Sequence, residues 1–73
     1  MRANLKKART DAGLTQEQMA EKLGITHVYY QKIEAGDRVG SFAIWDALED
    51  ITGIHQRKLR EFEETHLSPE DNQ

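Results

Sequence analysis

The sequence predicts an all-α fold, a compact domain of five short helices, and three observations carry that prediction. Apolar residues recur at helical spacing along the chain, and no segment alternates with the period of two that a half-buried strand shows. Gly13, Gly24, Gly36 and Gly53 each follow such a stretch, where a helix end favours a left-handed residue. Small polar residues come shortly afterwards at Thr15, Thr26 and Ser41, placed to accept from the free N–H groups that open a helix.

Helix one is expected over about 2–12, with Leu5, Ala8 and Ala12 on its inward stripe. Helix two, about 16–23, turns Met19, Ala20 and Leu23 inward, and Thr15 with Gln18 fits a capping box at its start. Helix three, about 27–35, buries Tyr30 and Ile33. Helix four, about 42–52, carries the apolar stripe Ile44, Trp45, Leu48 and Ile51 opposite a wet face of Asp46, Glu49 and Asp50. Trp45 at that spacing is a core anchor. A shorter fifth helix over about 56–64 offers Leu59 and Phe62, and the polar segment 65–73, which holds the single proline Pro69, is expected to be a flexible tail.

Seventy-three residues make one small domain. The mean hydropathy of −0.80 and 32% charged residues suit a water-exposed surface. The absence of cysteine excludes disulfides and thiolate zinc sites and points to a cytoplasmic setting. No apolar run approaches the roughly 20 residues of a membrane span. His27, His55 and His66 lack paired ligand spacing, and there is neither a glycine-rich phosphate loop nor a nucleophile elbow. No metal, no cofactor and no catalysis are expected, since so small a core also lacks room for a desolvated pocket.

The net charge of −3 argues at first against a nucleic-acid partner. Its distribution reverses the argument. Residues 1–38 balance at +2 and residues 39–73 at −5. With a screening length of about 8 Å in physiological salt, a distant acidic half weighs little on a ligand held by the basic half.

Helices two and three are joined by Gly24-Ile25-Thr26 alone. A turn of that length brings two helices together steeply, and Ala20 supplies the small residue such a crossing needs. An ordinary helical bundle would use the same pieces, so pattern alone leaves both readings open. The wording from Leu5 to Gly36 favours one of them. Leu5 with Arg9, Gly13-Leu14-Thr15-Gln16, Met19-Ala20, Leu23-Gly24-Ile25-Thr26, and Ile33-Glu34 with Gly36 together resemble the Cro/repressor, lambda-repressor-like helix-turn-helix family. A weaker likeness runs through Arg38, Ser41-Phe42 and Gly53-Ile54 to Leu59. Two positions depart from the family's pattern. Tyr30 replaces an aliphatic residue, which would prop helix three outward, and Gly40 replaces a proline, which would loosen the loop 37–40.

The resemblance implies a helix-turn-helix DNA-binding domain over 1–64 and a sequence-specific transcriptional regulator, a repressor, of bacterial, phage or mobile-element origin. Its groove-reading positions fall on His27, Val28 and Lys32, with Tyr29 and Gln31 beside them on the outward side of helix three. Gln31 suits adenine, Lys32 guanine, and Val28 a thymine methyl. Phosphate contacts are expected from Gln16, at the start of helix two, and from Thr26, Lys6 and Arg38. Arg9 and Glu34 match an internal ion pair of the family. The partner would be double-stranded DNA with a near-palindromic operator, gripped by a homodimer; Ile54, Leu59, Phe62 and Leu67 either supply its contact or simply cap the core. The competing reading is a protein-interaction module or antitoxin on the same fold, favoured by the acidic second half. Lys6 and Lys7 read equally well as an ordinary solvated face.

Overall fold

The computed structural model describes residues 1–61. Its helices follow the expected order: α1 (Ala3–Asp11), α2 (Gln16–Leu23), α3 (His27–Ala35), α4 (Phe42–Thr52) and α5 (Gln56–Leu59). The three expected caps form. Thr15 Oγ1 accepts from the Gln18 N–H at 3.1 Å, while Gln18 Oε1 accepts from the Thr15 N–H at 2.9 Å. Thr26 Oγ1 accepts from Tyr29 N and Ser41 Oγ from Ile44 N. Local side-chain chemistry therefore opens α2, α3 and α4.

The core comprises Leu5, Met19, Ala20, Tyr30, Ile33, Ile44, Trp45, Leu48 and Leu59, with Ala8, Leu14, Leu23, Ile25, Tyr29 and Ile51 packed against it. Gly24 closes α2 in the left-handed region at φ 73°. The chain then reverses, and the Ile25 N–H donates to the Ala20 carbonyl at 3.0 Å. Ala20 is fully covered where α2 and α3 cross. No strand is present among the described residues, and no described helix is long and apolar enough to cross a membrane.

Two expectations about extent change. Ala12 is exposed rather than inward, because α1 stops at Asp11 and Ala12 is its capping residue. The fifth helix ends at Leu59, not near residue 64. Side chains from the beginning of the chain take the carbonyls there: Asn4 Nδ2 donates to Lys58 O at 3.2 Å and Arg2 Nε to Arg60 O at 3.2 Å. Phe62, Leu67, Pro69 and the expected tail 65–73 lie outside the described residues. Leu59 has no exposed surface, so it belongs to the core and is not available as a dimer contact.

Of the two departures from the family's pattern, the loop at Gly40 resolves differently from expectation. Tyr30 is wholly buried, and its hydroxyl is used within the structure (below). The loop before α4 is held on both sides rather than loosened. Trp45 Nε1 donates to Val39 O at 2.7 Å, and Arg2 Nη1 donates to Arg38 O at 3.0 Å. Gly40 follows them at φ 85°. A Cβ there would lie 3.3 Å from Trp45 Nε1 and 3.4 Å from Ile33 Cδ1, so glycine lets the loop close onto the core.

Candidate nucleic-acid interface

Helix α3 has two unlike sides. Its inner side buries Tyr30, Ile33 and Glu34. A buried carboxylate is tolerated only with its lone pairs satisfied, and Glu34 has four donors. Arg9 Nε lies 2.8 Å from Oε2 and Arg9 Nη2 3.3 Å from Oε1, a forked contact between α1 and α3. The Tyr30 hydroxyl donates to Oε2 at 2.7 Å, and Gln16 Nε2 donates to Oε1 at 2.9 Å. Arg9 also donates to the Leu14 carbonyl at 2.8 Å, tying in the turn before α2. Burial pushes the Glu34 carboxyl upward, but the bonds from Arg9, Tyr30 and Gln16 outweigh it and hold the group below its ordinary range. The Glu34 bond raises Arg9, while burial followed by the hydrogen bond to Glu34 raises Tyr30. At neutral pH the cluster is an ion pair with a neutral phenol.

The outer side is open. Val28 is 59% exposed, Gln31 and Lys32 are exposed, and His27 is half-buried at the helix start. His27 Nδ1 lies 3.9 Å from Glu17 Oε2, an ion pair when the imidazole is protonated. Tyr29 turns partly away from this edge and packs against the core. The structure thus brings Val28, Gln31 and Lys32 onto one exposed ridge, with the half-buried His27 and Tyr29 at its margin. At the opening of α2, the Gln16 and Glu17 N–H groups are left without an intrahelical acceptor, as in any first turn, whereas Gln18 is capped by Thr15.

The helix-turn-helix family of the Cro/C1 type matches residues 5–59, three quarters of the chain. The chain belongs to that family. No characterised protein matches it at significant similarity. Family membership makes it a DNA-binding helix-turn-helix regulator with the lambda-repressor-like fold.

In this helix-turn-helix domain the remaining candidates are placed as follows. Lys6 is exposed and borders a shallow depression with Thr15, Gln16, Glu17, His27 and the edge of Arg9. Thr26 is exposed, and its hydroxyl oxygen already accepts from Tyr29 N, leaving the hydroxyl hydrogen to donate. Arg38 is exposed and donates to the Asp37 carbonyl at 3.1 Å. Lys7 is instead paired with Asp11 at 2.9 Å on the open face of α1. Among the described residues no group of His, Cys, Asp or Glu is placed to hold a metal ion.

Three roles escaped the sequence reading. Gln16 and Tyr30 both serve Glu34; the Tyr30–Glu34 spacing of i,i+4 was the available signal for one of them. Arg2 is the third. It is buried to 4% exposure, with Nη1 2.6 Å from the Ile33 carbonyl and its guanidinium 5.3 Å from the centre of the Trp45 ring. Its own N–H donates to the Glu34 carbonyl at 2.8 Å. Burial, followed by the nearby Arg60 charge, lowers the Arg2 pKa. Arg2 therefore secures the last turn of α3 from the side away from the ridge.

Proposed function

We propose that the chain is a repressor that occupies a near-palindromic operator, inserting the first turns of α3 into the major groove. The observation that carries this reading is the division of α3. Its inner side is anchored by the Arg9–Glu34 cluster, while Val28, Gln31 and Lys32 on the other side remain exposed with His27 half-buried beside them. Gln31 pairs with adenine, Lys32 reaches guanine O6 or N7, and Val28 presses on a thymine methyl. His27 and Tyr29 flank them. The N–H groups opening α2 at Gln16 and Glu17, with Thr26, Lys6 and Arg38, hold the backbone phosphates and set register.

One such unit covers only a few base pairs, so the acting species is a symmetric dimer on half-sites about 34 Å apart. Ile54, 38% exposed, is the residue of the expected contact that remains available among the described residues. The chain acts by binding in the cytoplasm, without a cofactor. The acidic wet face of α4, with Asp46 and Asp50 exposed, favours a second reading in which the same domain also docks on a protein such as a toxin.

Selection of bound duplexes from a random pool tests the first reading. Wild-type protein is expected to enrich a near-palindrome, with affinity falling steeply in salt at a slope of about −0.9 per phosphate held. Lys32→Ala and Gln31→Ala should each lose preference at one or two positions per half-site. Unchanged preferences in both variants would overturn the assignment. Absence of binding to any duplex at low salt would move the function to the protein partner.

A further inference from the structure

We propose that Gln16 is a positioning residue: it sets which way the Gln31 amide faces and thereby gives Gln31 its preference for adenine. The inference rests on the reading that α3 enters the major groove, and it deepens that reading by assigning one side chain a role other than phosphate contact.

The argument is donor and acceptor bookkeeping. An ionised Glu34 carboxylate only accepts hydrogen bonds. The Gln16 atom 2.9 Å from Oε1 must therefore be its amide nitrogen, because an amide oxygen there would face another oxygen. This contact is part-buried and backed by Arg9, whose guanidinium keeps the carboxylate in place. With the nitrogen committed, Gln16 Oε1 points the other way, towards the ridge. Gln31 Nε2 lies 3.4 Å from it.

Gln31 must therefore turn its amide nitrogen towards Gln16, sharing one N–H with it. Its oxygen and its second N–H remain side by side and open to the groove. That pair matches the adenine edge, where N6–H donates and N7 accepts. At 3.4 Å and exposed to water, the Gln16–Gln31 contact biases the free protein only weakly. Docking on DNA excludes water and strengthens the same bond. The buried charge of α3 is in this way connected to its outer edge through one side chain from α2. It follows that phosphates at the opening of α2 are held by backbone N–H groups rather than by the Gln16 amide.

The test is duplex selection with wild type, Gln31→Ala, Gln16→Ala and Gln16→Lys, scored as base ratios at each position together with the salt slope of affinity. Gln31→Ala identifies the position that Gln31 reads. Gln16→Ala is expected to reduce the adenine preference at that same position roughly fivefold or more, with other positions and the salt slope unchanged. A merely weakened fold lowers binding to every sequence alike and does not alter a base ratio. Gln16→Lys keeps a donor to Glu34 but offers Gln31 no acceptor. The Gln31 amide then turns its oxygen inward and its nitrogen outward, and preference should move from adenine towards guanine, whose O6 and N7 both accept.

Equal loss on all sequences in Gln16→Ala, with the salt slope smaller by about 0.9, would make Gln16 a phosphate contact and overturn the proposal. So would an unchanged base ratio at a position that responds to Gln31→Ala, which leaves groove reading intact. If no position responds to Gln31→Ala, both readings fall.

Discussion

Helices α3 and α4 each bury three side chains, but they are held by different forces. In α4 these are Ile44, Trp45 and Leu48, and the buried attachment is apolar area with a hydrogen bond from Trp45 to the loop, while Gln56 of α5 donates to Asp46 and Glu49 on its outer side. In α3 they are Tyr30, Ile33 and Glu34, and the attachment is largely a hydrogen-bonded charge cluster, with the last turn tied to Arg2. The difference follows from what each helix does. A helix that only completes a core can rely on non-directional burial. One that must present side chains to another molecule at fixed angles gains from directional bonds, which restrain rotation about the helix axis as well as displacement.

The comparison can be broken most severely at Trp45. Trp45→Ala removes the largest buried side chain and leaves the Val39 carbonyl without its donor. A cost of about 3–5 kcal/mol is expected. Stability in so small a domain is only a few kcal/mol, so circular dichroism at 25 °C should show a largely unfolded chain. A cooperative melt close to wild type would deny α4 its role.

Arg9→Ala tests the other helix. It strands the Glu34 charge and should cost about 3–5 kcal/mol if the pair behaves as other buried pairs do. The double variant Arg9→Ala with Glu34→Gln, which removes both charges, should recover part of that loss in urea unfolding. Recovery is the diagnostic result, because a loss of packing alone would not be repaired by a second substitution.

Acid gives the smallest and most selective effect. The Glu34 carboxyl is held below its ordinary value of 4.5 in the folded chain. Its contribution is therefore complete above that value and is lost as pH falls through the folded pKa. Wild-type melting temperature should fall below about pH 4.5, and Glu34→Gln, weaker at neutral pH, should fall less across the same window. Parallel curves would mean that the anchor of α3 is not the ionised form.

This division also explains what could be read in advance. Thr15, Thr26 and Ser41 were legible because cap chemistry acts on N–H groups three residues away. The apolar stripe of α4 was legible because periodicity encodes burial. Arg9 with Glu34 lies 25 residues apart and was reached only through family resemblance. Arg2 could not be found at all. Its partners include backbone carbonyls 31 and 58 residues away, and a carbonyl carries no residue identity for a sequence to display. Ala12 failed for the opposite reason: it satisfies the inward spacing, but spacing does not reveal where a helix stops.

The burial of Arg2 has a practical side for anyone preparing the protein. Arg2 lies inside the domain, gripping the end of α3 and the α5 turn, so changes made at this position bear on both. A shortened form beginning at Ala3 would lack a piece of its interior.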